Sequence, residues 1–87
     1  PLRLQAVDVK DGEALLAFGS VKFIGVAGYG FVTDMPASRY RNLSPDGDLT
    51  MAAANLFKMM RELDAAGATA IAVMSVPRQG IGLAIND

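Results

Sequence analysis

One stretch governs what this chain can fold into: "DLTMAAANLFKMMRELDAAGATAIAVMSVP", Asp48 to Pro77. Leu49, Ala53, Leu56, Met60 and Leu63 recur at spacings of four, three, four and three, which winds into one apolar face of a helix running from Leu49 to Ala66. Asp48 stands where a side-chain oxygen accepts hydrogen bonds from the free amides of a first turn, and Gly67 supplies the left-handed residue that ends the helix. Ala68 to Pro77 is then apolar almost throughout, with Ile71, Val73 and Val76, as in a strand buried on both faces. Tyr40 to Leu43 reads as a short strand leading into the turn "SPDG". Strand, helix, strand is the order of a right-handed crossover between parallel strands, so the expected class is α/β with a parallel core.

The first half adds strands. Leu2, Leu4 and Ala6 alternate with polar residues within "LRLQAVDV", Leu2 to Val9, the pattern of a half-buried strand, before the alternation shifts at Val7. After the turn "KDG", the run "EALLAFG", Glu13 to Gly19, is short and apolar; Ala14 to Phe18 are core candidates covered on both faces. From Ser20 to Asn42 there is no helical repeat; irregular strands are expected near Lys22 to Ile24 and Tyr29 to Val32, and a loop over Met35 to Ser38. The closing "GIGLAIND" restores helical spacing through Ile81 and Ile85, as the start of a second helix that the sequence cuts short.

Composition narrows the chemistry. With no histidine and no cysteine among 87 residues, imidazole acid/base catalysis, thiolate nucleophiles, disulfides and Cys/His zinc sites are all excluded. Eight basic against nine acidic residues give no field that would gather nucleic acid or an acidic membrane, and Asp34, Asp46 and Asp48 surround Arg39 and Arg41. No apolar run approaches the roughly 18 to 20 residues of a membrane helix, and no signal peptide opens the chain, so a cytoplasmic protein with neither membrane nor direct nucleic-acid partners is expected. Residues 1–87 are expected to form one domain.

The remaining motifs divide between ligand chemistry and simple architecture. "GVAGYG", Gly25 to Gly30, has the spacing G-x-x-G-x-G, not that of a dinucleotide or phosphate loop, and reads as a glycine-rich bend. "SPDGD", Ser44 to Asp48, could offer oxygens to a cation but lacks the calcium-loop pattern; turn and helix cap account for each residue. Glu62 and Asp64 sit two apart on the helix and diverge as solvated residues, while the methionines read as packing, Met51 and Met59 lying off the main stripe. Arg78 and Gln79 follow a buried parallel strand, at the end where α/β folds bind ligands, and are the candidates for contact with a ligand or a neighbouring domain. No catalytic, cofactor or metal residue is assigned.

From Asn42 onward the chain resembles the C-terminal domain of two-domain bacterial threonylcarbamoyl-AMP synthases. The resemblance rests on an ordered series: an "AAxNLFxxxRxLD" helix, Ala53-Ala54-Asn55-Leu56-Phe57 to Arg61 and Leu63-Asp64, a glycine, a buried strand, then a proline and "GxGxAIND". It implies a small Rossmann-like three-layer domain with a mainly parallel sheet, packed beside an N-terminal YrdC-like catalytic domain in cis and helping to close or regulate its site. In the family that other domain binds ATP, bicarbonate and threonine to make threonylcarbamoyl-AMP for tRNA modification, linking the protein indirectly to tRNA-pathway enzymes. No cofactor is then expected within these residues, and the isolated domain is expected to be inactive. The alternative from a different class is an independent small-ligand or nucleotide-binding α/β module.

Overall fold

The computed structural model describes residues 2–21 and 25–76. Six strands and one long helix follow in the order β1 (Leu2–Ala6), β2 (Asp8–Val9), β3 (Ala14–Ala17), β4 (Gly25–Val26), β5 (Tyr40–Asn42), α1 (Leu49–Ala65) and β6 (Ile71–Met74), with a 3-10 turn at Val32–Asp34. Four strands form a wholly parallel sheet in the order β1-β6-β3-β5, and β2 pairs with β4 in a separate parallel ribbon. Among the described residues no helix is long and apolar enough to cross a membrane.

The expected strand-helix-strand core is present. β5 and β6 flank β3, so the chain leaves one edge of the sheet, crosses over β3 through α1 and returns as a parallel strand on the far side. All four residues of β3 are buried, because this strand has neighbours on both sides and layers on both faces. Its alternation sorts them: Ala14 and Leu16 join Ile71 and Val73 under α1, while Leu15 and Ala17 join Ala72 on the opposite face. There Ala6, Val9, Val26, Val32 and Met35 form the covering layer, in which the described residues make no helix longer than the 3-10 turn. The result is the three-layer α/β arrangement expected from the resemblance, one layer being loop and ribbon.

α1 has the expected cap and a shifted face. Asp48 Oδ1 accepts from the amides of Thr50 at 2.8 Å and Met51 at 3.1 Å; at the other end Gly67 takes φ +99°, closed to most side chains. Ala52 and Leu63 are fully buried, and Leu49, Leu56, Met59 and Met60 pack partly against the same core. Ala53, placed by its spacing on the inner face, is exposed, and Met59, placed off the stripe, packs inward. A run of three alanines leaves the phase open by one residue, and the chain settles it by turning Ala52, not Ala53, onto the sheet.

Other expectations also change. The strand expected over Leu2 to Val9 is broken into β1 and β2: Gln5 takes φ +55°, an unusual value for a residue with a side chain, and the β1–β6 register shifts between Arg3 and Ala6. This irregularity sends Ala6 to the face opposite Leu2. Tyr29 to Val32 is not a strand; Gly28 and Gly30, with φ of +88° and +89°, close a turn there, and the paired strand β4 lies within the glycine motif itself. Lys22 to Ile24 and the expected helix start at Gly80 to Asp87 lie outside the described residues.

Candidate functional site

At the carboxyl ends of β3 and β5, where ligand crevices of open α/β sheets are found, the polar groups bind one another. Asn42 Nδ2 donates to the Gly19 carbonyl at 2.9 Å and its Oδ1 accepts from the Ser44 amide at 3.0 Å. Ser44, fully buried, accepts through Oγ from the Asp48 amide at 2.9 Å, and Asn55 Nδ2 donates to the Leu43 carbonyl at 2.9 Å. "SPDGD" is thus a turn and helix cap, as its residue types suggested. Among the described residues no group of three or more His, Cys, Asp or Glu side chains could hold a metal ion. Arg78 and Gln79 follow β6 at this end of the sheet in sequence but lie outside the described residues.

The opposite end of the sheet carries the charged chemistry. Arg3, on β1, meets Glu13 side-on, Nε to Oε2 at 3.0 Å and Nη2 to Oε1 at 2.7 Å; its Nη2 also reaches the Asp8 carbonyl at 2.9 Å and the Asp8 carboxylate at 3.0 Å. The Lys10 amide donates to Glu13 Oε1 at 2.8 Å. Hydrogen bonding from Arg3 holds the Glu13 carboxyl below its ordinary pKa against the opposing effect of burial, with the Lys10 amide acting in the same sense. The same hydrogen bond, reinforced by Asp8, raises the Arg3 guanidinium above its ordinary value. No spacing rule flags this cluster in the sequence, since Arg3 and Glu13 are brought together by the return of the chain from β1 to β3, two parallel strands separated by β6.

Beside it opens a cleft of about 300 Å³ lined by Asp11, Gly12, Glu13, Gly28, Tyr29 and Arg39. The glycine motif forms one wall and Arg39, just before β5, the other. Arg39 Nη1 donates to the Ala66 carbonyl at 3.3 Å, which ties β5 to the carboxyl end of α1 and places a positive charge where the helix dipole favours one. Arg41 bridges the same two elements through Glu62, Nε to Oε1 at 3.3 Å, so Glu62 is not simply solvated as its spacing suggested. Glu13, Arg39, Arg41 and Glu62 are each used to hold elements together. A cleft so built can receive a polar group, but it sets no nucleophile against a base.

A family model described as threonylcarbamoyl-AMP synthase, C-terminal domain, matches residues 5–87. No curated protein and no solved structure matches the chain.

Proposed function

The chain belongs to the family of threonylcarbamoyl-AMP synthase C-terminal domains, and from that membership we propose that it is an accessory domain acting in cis on an N-terminal YrdC-like catalytic domain in the cytoplasm. In this reading the partner domain binds ATP, bicarbonate and threonine and makes threonylcarbamoyl-AMP for tRNA modification. The present domain supplies a surface, not reacting groups. The observation that supports it most is the use of the described polar side chains: Arg3, Glu13, Arg41, Asn42, Ser44, Asp48 and Asn55 are spent on internal bonds that position strands and cap α1.

Two measurements test it together. The isolated chain, given ATP, threonine and bicarbonate, should release no pyrophosphate above background, and the two-domain protein should lose activity when the chain is deleted. Turnover by the isolated chain, or an unaltered rate on deletion, would overturn the proposal. A second reading, a small-ligand or nucleotide-binding module, draws on the cleft between the glycine motif and Arg39. Saturable chemical-shift changes at Gly28, Tyr29 and Arg39 on adding ATP to the isolated chain would favour that reading.

A further inference from the structure

Two tight turns meet at the cleft beside the Arg3–Glu13 pair. The first, Lys10 to Glu13, is closed by the Glu13 amide on the Lys10 carbonyl at 3.1 Å, with Gly12 at φ +85°. The second, Val26 to Tyr29, places Gly28 in the equivalent position and is closed by the Tyr29 amide on the Val26 carbonyl at 3.4 Å. Asp11 stands in the first turn, and its carboxylate reaches the second: a Cβ built on Gly28 would lie 3.8 Å from Asp11 Oδ1. Glycine at position 28 thus leaves the space before this carboxylate open.

Arg39 forms the other wall. Both charges line one cleft of about 300 Å³, yet they make no ion pair with each other, and Asp11 pairs with no other described side chain. Each is held in place by its own anchors. Arg39 Nη1 donates to the Ser38 carbonyl at 3.4 Å and the Ala66 carbonyl at 3.3 Å, and its main-chain carbonyl accepts from the Leu15 amide at 2.8 Å. Asp11 belongs to a turn whose last residue, Glu13, is clamped by Arg3. The Arg39 bonds use Nη1 alone and leave Nε and Nη2 to serve another acceptor. Tyr29, 39% exposed, adds an aromatic ring to the lining.

We propose that this cleft binds a free α-amino acid as its zwitterion, with the carboxylate on Arg39, the ammonium on Asp11 and the side chain against Tyr29. Opposite charges fixed on facing walls suit a ligand that carries both signs, because each is neutralised without bringing net charge into the cleft. The charge count disfavours a nucleotide. A polyphosphate carries several negative charges, whereas the lining offers it one guanidinium and sets the Asp11 carboxylate against it, Glu13 being cancelled by Arg3. This assignment narrows the small-ligand reading of the cleft and does not depend on the action of the domain in cis. Both ion pairs face solvent, so a Kd on the order of 1 mM is expected.

Titration of the 87-residue chain with L-alanine, L-threonine, L-leucine and L-phenylalanine, followed by nuclear magnetic resonance, tests it. At least one of these should give saturable shifts at Gly12, Gly28 and the Arg39 Nε–H group. The N-acetyl derivative of that amino acid, which lacks the ammonium, should bind about fivefold more weakly, the loss expected of a solvent-facing ion pair. Asp11→Asn should weaken the amino acid by the same factor and leave the affinity of the N-acetyl derivative unchanged, which separates recognition by Asp11 from a structural effect. No saturable shift with any of the four, or an equal loss for both ligands in Asp11→Asn, would overturn the proposal. So would shifts at these residues with ATP or inorganic phosphate but not with the amino acids, an outcome that keeps the nucleotide form of the second reading and removes this one.

Discussion

Arg3 and Glu13 clamp two strands that do not touch: β1 and β3 lie on either side of β6, and the guanidinium-carboxylate pair spans the gap at 2.7 and 3.0 Å. The Glu13 side chain is only 10% exposed, so solvent screens it little. Its folded-state pKa lies below the unfolded-chain value of about 4.3. A depressed carboxyl contributes stability that is present above the unfolded pKa and lost as pH falls through the folded one. The free-energy difference between the parent and Glu13→Gln should therefore be largest near about pH 6 and shrink on acidification toward about pH 3. Urea denaturation across that range measures it; a pH-independent difference would mean that the pair adds no ionic stabilisation.

The phase of α1 can be read from matched substitutions. Leu63→Ala should cost about 2–5 kcal/mol, as for other fully buried leucines. Ala52→Ser should cost about 1 kcal/mol or more by burying a hydroxyl, whereas Ala53→Ser should stay within about 0.5 kcal/mol. Denaturant midpoints for the three variants suffice, and a larger effect at Ala53 than at Ala52 would contradict the observed phase.

Capping of α1 rests on one carboxylate oxygen. Asp48→Ala removes both acceptor contacts and should destabilise by about 0.5–2 kcal/mol, while Asp48→Asn, which keeps an acceptor, should lose less. Thermal unfolding followed by circular dichroism at 222 nm, the helical signal, checks the order of the two variants.

Asn42 is the hinge of the bonds at the carboxyl ends of the strands. Asn42→Ala leaves the Gly19 carbonyl and the Ser44 amide without their partner and should cost about 1–3 kcal/mol. In hydrogen exchange the Ser44 amide should lose protection before those of β3 do. Unchanged protection at Ser44 would show that its amide does not depend on Asn42.

Periodicity made α1, β3, β5 and β6 legible because each buries a regular set of apolar side chains, and Asp48 and Gly67 marked the helix ends by their own chemistry. The misreadings have specific origins. Three consecutive alanines carry no phase information, so Ala53 and Ala52 exchanged roles. Gln5 gives no hint in its side chain that the backbone will turn left-handed, and the break in β1 follows from that turn. Tyr29 and Phe31 have the residue types of a strand, but the glycines around them permit a turn that contacts from Val32 and Met35 then fix. The Arg3–Glu13 cluster depends on which strand lies between the two, a fact of topology that local pattern does not contain.

The late placement of β6 bears on how the domain is made. Among the described residues this strand is the last of the sheet in sequence, yet it occupies an interior position and supplies the ladder by which β1 joins β3. A chain emerging from the ribosome can pair β3 with β5 early, but its β1 has no strand to lie against until residues 71–74 are released. Assembly of the four-stranded sheet then waits for this part of the chain, and its rate is limited by a closure linking residues far apart in sequence. Until that closure, the Leu15 and Leu16 edge stays open to other chains, which makes the interval before β6 arrives the period of greatest exposure to aggregation.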